Sequence, residues 1–95
     1  MPTEAGLRRD GDALVFAGAL DRAAATALWP QASAALDGVK RIVLVSVTTV
    51  DSAGLAMLAE LAARLRAAGV APAFEGEPPG LSDLRAAYRL SPELA

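Results

Sequence analysis

The chain has 95 residues, with Lys+Arg 9 against Asp+Glu 11 and a formal net charge of -2, which is room for one domain with one core. Hydrophobic residues make up 54% and aromatics only 4%, so the chain folds rather than staying disordered, around a thin, alanine-rich core. The near-neutral charge lacks the basic stripe that nucleic acid requires, and the absence of His and Cys removes imidazole bases, thiolate nucleophiles, disulfides and zinc clusters.

The start, MPTEAGLRRDGD, has no apolar stretch of the kind a signal peptide carries. Residues 4–20 read as a hairpin, with Leu14, Phe16 and Leu20 alternating after the Asp10-Gly11-Asp12 turn. Asp21 is placed to cap a helix whose Ala25, Leu28, Trp29, Ala32 and Leu36 recur at helical spacing. Pro30 predicts a kink there, or two short turns joined, and Gly38 marks the end. Ile42 to Val50 is a continuous, mostly β-branched run, expected to be a central strand covered on both faces and too short to span a bilayer.

Ala53 to Ala68 follows as a helix ending at Gly69, with Leu55, Leu58, Leu61, Ala62 and Leu65 as its buried stripe. Ala53, Ala56, Met57, Glu60, Ala63 and Arg64 are expected on the opposite face, with Glu60 and Arg64 paired at i,i+4. Val70 to Phe74 reads as a short strand placed at an edge by Pro72, and Leu81, Leu84, Ala87 and Tyr88 mark a last helix. The order β-β-α-β-α-β-α describes a small α/β domain, a mixed sheet of about four strands packed with helices.

The informative stretch is Val50-Asp51-Ser52-Ala53-Gly54-Leu55, where a buried strand feeds directly into a helix, at the place where open α/β sheets bind partners. Ser52 is expected to cap that helix, with its oxygen near the free N–H groups, where a phosphate would be tolerated. From spacing alone the plainer reading, a good helix start, is favoured. Thr49, Ser52, Ala53, Ala56 and Met57 form a credible docking patch, while Trp29 reads more readily as packing than as a partner contact. Arg64, Arg66, Arg85 and Arg89 read as solvated faces, and Asp10, Asp12, Glu75 and Glu77 show no clustering. There is no phosphate-cradling glycine loop, and Lys40 is the only lysine, so no enzyme, cofactor or metal is expected.

This junction resembles that of the STAS domain, the fold of anti-sigma-factor antagonists, whose pattern there is Asp-Ser-Ser-Gly-Leu or Asp-Thr-Gly-Gly-Leu. The order of elements agrees over nearly the whole chain. Gly18-Ala19-Leu20-Asp21, Leu28-Trp29 and Tyr88-Arg89-Leu90 are similar to the MlaB-like subgroup, cytoplasmic STAS subunits of a phospholipid-moving ABC transporter. The resemblance implies a single STAS domain over residues 1–95 and a non-catalytic subunit bound to the transporter's ATP-binding subunit, in a complex with permease and substrate-binding subunits. Its location would be cytoplasmic, peripheral to the inner membrane through that partner, without direct membrane insertion or nucleic acid. The implied contact set is Thr49, Asp51, Ser52, Ala53, Gly54, Ala56, Met57 and Glu60. The alternative is an anti-sigma-factor antagonist regulated by phosphorylation of Ser52. Family members often carry Asp-Leu-Ser in the central strand, and Val43-Leu44-Val45 here favours the transporter reading.

Overall fold

The computed structural model describes residues 5–90 and 94. Seven elements run in the expected order: β1 (Gly6–Asp10), β2 (Ala13–Leu20), α1 (Arg22–Ala34), β3 (Arg41–Val50), α2 (Ser52–Ala67), β4 (Ala73–Glu75) and α3 (Leu81–Ala87). They form a four-stranded mixed sheet in the order β1-β2-β3-β4, with β1 antiparallel to β2 and the other pairs parallel. The hairpin turns at Gly11, whose φ of 60° lies in the left-handed region that glycine enters without steric cost. β4 is the edge strand anticipated from Pro72, although it starts at Ala73, just after the proline.

One hydrophobic cluster joins Leu14, Phe16 and Leu20 of β2, Ile42, Leu44, Val47 and Val50 of β3, Leu28 of α1 and the whole predicted leucine stripe of α2. These strand residues all lie on the face that α1 and α2 cover. The opposite face is open: Val45 is 73% exposed and Val43 half-buried, so β3 is covered on one side only, not on both. A run of β-branched residues gives strong strand propensity whether one face or two are covered, and it cannot by itself report a second layer.

α1 runs as one helix through Pro30, rather than as two joined turns. Pro30 has no N–H to offer the Thr26 carbonyl, but both residues are exposed, so water can satisfy that oxygen. The helix ends at Ala34, before Gly38. The carbonyls at and just beyond its C-cap are held from β1, because Arg9 donates to Ala35 O at 3.0 Å and Asp37 O at 2.8 Å. Only Ala24, Leu28 and Ala32 are fully buried in α1; Ala25, Trp29 and Leu36 are half-buried.

The register sets up the functional region. Leu20 and Val50 are parallel partners at the ends of β2 and β3, so α1 and α2 begin side by side at one end of the sheet. Asp21 and Asp51 cap them with almost the same backbone conformation. The Pro79 carbonyl accepts from Val50 N at 3.2 Å, which ties the loop before α3 to the same end.

Candidate functional site

The chain leaves β3 at Val50 and enters α2 at Ser52, so the capping position belongs to Asp51 and not to Ser52. The Asp51 residue keeps extended backbone angles, and its Oδ1 accepts from Ala53 N at 2.9 Å and Gly54 N at 3.0 Å. A carboxylate at this position satisfies two of the free N–H groups and complements the helix dipole. Ser52 is left exposed in the first turn. A phosphate on Ser52 would therefore share the helix terminus with the Asp51 carboxylate.

Gly54 is buried, contrary to its expected place in the contact surface. A Cβ there would lie 2.0 Å from the Leu20 carbonyl oxygen, which also accepts from Asp51 N at 3.2 Å. Only glycine lets the start of α2 press this closely on the end of β2. Met57 is also buried, at 5% exposure, and not on the outer face. α1 packs beside α2 and covers that flank, so the buried arc of α2 is wider than a helix facing the sheet alone would have. Thr49, Asp51, Ser52, Ala56 and Glu60 are exposed and Ala53 is half-buried. These six present a surface of small and polar side chains along the first turns of α2.

A shallow apolar depression flanks that surface on each side. In the first, Trp29 and Pro30 of α1 face Ala53, Ala56, Met57 and Glu60 of α2. The second is formed by Ser52, Leu55, Ala56 and Ala59 with Tyr88 and Leu90 from the end of α3. Ala56 lines both and forms the low ridge between them. The half-buried Trp29 carries Arg64 over its ring at 4.8 Å from the centroid, and Arg64 also reaches Glu60 at 3.4 Å. Sequence reasoning noticed Trp29 and Tyr88 only as family marks or packing. No periodicity within one element could have brought α3 against the start of α2.

The carboxylates elsewhere do cluster in one place. At the opposite end of β3, Arg41 bridges Asp12 at 3.0 Å and Glu75 at 2.6 Å. The hydrogen bond from Arg41 holds the Asp12 carboxyl below its ordinary value, and the same bond raises the Arg41 guanidinium. Among the described residues no group of three or more Asp and Glu side chains is arranged to hold a metal ion. Among them, too, no helix is long and apolar enough to cross a membrane.

Residues 5–93 match the family described as "Mlab, STAS domain". The chain belongs to the STAS domain family, MlaB type. Among solved structures, this STAS domain is similar to the anti-sigma factor antagonist SpoIIAA in its unphosphorylated form. The TM-score is 0.67 at 19% identity, over 94% of this chain and 84% of that one, a likeness of fold. It is also similar to part of the chain called Mglu, with a TM-score of 0.52 and 28% identity, over 79% of this chain and 19% of that one. Among curated proteins, none matches this chain.

Proposed function

We propose that this STAS domain is a non-catalytic subunit that docks on the ATP-binding subunit of a phospholipid-trafficking ABC transporter of the Mla type. In that role it supports assembly or activity of a complex with permease and substrate-binding subunits, and so the lipid asymmetry of the outer membrane. It works in the cytoplasm, peripheral to the inner membrane through its partner. The observation that carries the reading is the surface at the start of α2: exposed Ser52 and Ala56 between two apolar depressions, on a backbone fixed by the Asp51 cap and the Gly54 contact. Trp29 in one depression and Tyr88 in the other are the aromatic side chains that anchor protein interfaces, which suits docking of another protein. Membership in the MlaB-type family favours a transporter as the owner of that protein.

The second reading is an anti-sigma-factor antagonist switched by phosphorylation of Ser52. The likeness to SpoIIAA and the exposure of Ser52 favour it. Val43-Leu44-Val45, where family members often carry Asp-Leu-Ser, weighs against it.

Co-purification from the native host separates the two, retaining an ATPase and a permease in one case and a serine kinase in the other. Ser52→Arg is expected to abolish retention of the ATP-binding subunit while circular dichroism reports an intact fold. Ser52→Thr is expected to bind normally, and Ser52→Ala to weaken docking slightly; under a phosphorylation switch Ser52→Ala would instead lock the partner-bound form. Wild-type retention by folded Ser52→Arg protein removes this junction as the interface.

A further inference from the structure

The sheet face that α1 and α2 leave open carries a pattern that two copies of the chain can share. Strand register puts Arg8 beside Val15, Val15 beside Val43 and Val43 beside Glu75, so these four form one row across all four strands. Their chain neighbours Leu14, Phe16, Ile42 and Leu44 are buried under the helices, and Leu7 and Phe74 pack against the same core, so the row points the other way. An exposed cation stands at one end, an exposed anion at the other, and two half-buried valines between them. Arg8, Val15, Ala17 and Ser46 line a shallow depression on this face. Val45 stands out beside it at 73% exposure. It lies in the register shift between the Val15–Val43 and Ala17–Ser46 pairs, level with that depression.

We propose that a second copy of the chain covers this face, in a two-fold dimer whose axis lies between the sheets and parallel to the strands. That rotation sets β1 of one copy over β4 of the other, and β2 over β3, at the same height. Val45 of each copy enters the other copy's depression, Val15 meets Val43, and Arg8 meets Glu75 at both rims. The charged ends have capacity for this contact. Arg8 reaches Asp10 only at 3.6 Å, with both side chains 68% exposed. Glu75 meets Arg41 through Oε2, and a carboxylate accepts from more than one donor. An axis across the strands would set β3 over β3 and take Val45 away from the other copy's depression. Along this row it would also bring Arg8 to Arg8 and Glu75 to Glu75, so shape and charge both select the first arrangement. Four strands about 4.8 Å apart and about five residues long offer roughly 300–400 Å² per copy, below a standard interface, so the dimer is weak and reversible. The helical layer takes no part, and the surface at the start of α2 stays free in both copies.

Sedimentation equilibrium of the purified chain from about 10 μM to 1 mM tests this, the range in which weak interfaces dissociate. The wild type is expected to pass reversibly from monomer to dimer. Val45→Lys is expected to stay monomeric while melting with the wild type in dilute solution. Arg8→Glu and Glu75→Arg each bring like charges together and should associate about tenfold more weakly alone. Mixed in equal amounts, the two variants should recover wild-type association, because both rim pairs are opposite again in the mixed dimer. Mixing cannot repair a fold defect, and Arg8 and Glu75 of one chain are about 14 Å apart across three strand spacings, too far to compensate for each other. A wild type that is monomeric at about 1 mM overturns the proposal. So does a dimer that survives Val45→Lys, or a mixture that associates no better than its single variants. A monomeric wild type whose Val45→Lys form loses the ATP-binding subunit would give the open face to that protein instead.

Discussion

At the residue scale, the junction between β3 and α2 depends on two neighbours with different roles. Asp51 supplies hydrogen bonds to Ala53 N and Gly54 N, and losing them in Asp51→Ala should cost about 1 kcal/mol. Gly54 supplies the absence of a side chain. In Gly54→Ala the new methyl would stand 2.0 Å from a backbone oxygen, an atom that cannot rotate away, so α2 must move off Leu20. Denaturant unfolding should show a loss of about 2–4 kcal/mol, larger than that of Asp51→Ala. Equal stability of the two variants would mean that the β2–α2 contact relaxes freely. At the other end of β3 the Arg41 bridge sets a pH dependence. The folded carboxyl of Asp12 is held below its ordinary value of 3.8, so its contribution is fully present above that value and is lost as pH falls through the lower, folded value. The Asp12 side chain is 46% exposed, which keeps the effect small. Arg41→Gln should reduce stability slightly at neutral pH and remove part of the loss on acidification. Melting temperatures followed across the acid range check this, and parallel curves for the two proteins would exclude the bridge as a contributor.

At the element scale, strong periodicity was readable and relations between elements were not. Leu14, Phe16 and Leu20 alternate in the sequence and all three are buried; the stripe from Leu55 to Leu65 is likewise in the core. A helical wheel places Met57 outward because it treats α2 as a helix facing one sheet, whereas α1 covers a second flank. The cap was displaced by one residue because Asp and Ser, adjacent in the chain, are both good caps and only backbone angles decide between them. Of the expected contact set, Gly54 and Met57 belong to the packing and the other six reach the surface. The two depressions were not legible, since each needs side chains from two helices distant in sequence. Pro30 shows the reverse case, a local breaker overruled by its surroundings: α1 continues because its unpaired carbonyl faces solvent and its other flank buries Leu28 and Ala32. Pro30→Ala restores the missing N–H and should raise stability by about 1–3 kcal/mol, seen as a higher melting temperature. An unchanged melting temperature would mean that Pro30 gains in packing against α2 what it loses in the helix.

At the scale of the whole molecule, the sheet is asymmetric. α1 and α2 cover one face, and the other presents Val43 and Val45 to the surroundings. Parallel strands usually have both faces covered, which is why the β-branched run in β3 reads as a central strand covered on both faces. Here the helical layer is enough: Leu44 is 1% exposed and its neighbour Val45 73%. Adjacent residues of one strand therefore offer a matched test. Leu44→Lys would drive an ammonium group into the core, where no buried carboxylate is available among the described residues. The cost of an unpaired buried charge is several kcal/mol, a large share of the stability of a small domain, and cooperative unfolding should be lost. Val45→Lys places the same group in solvent and gives up only strand propensity and a partial apolar contact, so its stability should stay within about 1 kcal/mol of wild type. Docking at the start of α2 should also survive Val45→Lys, because that surface belongs to the helical layer. A folded Val45→Lys protein that no longer retains the ATP-binding subunit would show that the open sheet face is itself covered in the complex, and the partner would then have to reach both sides of the sheet.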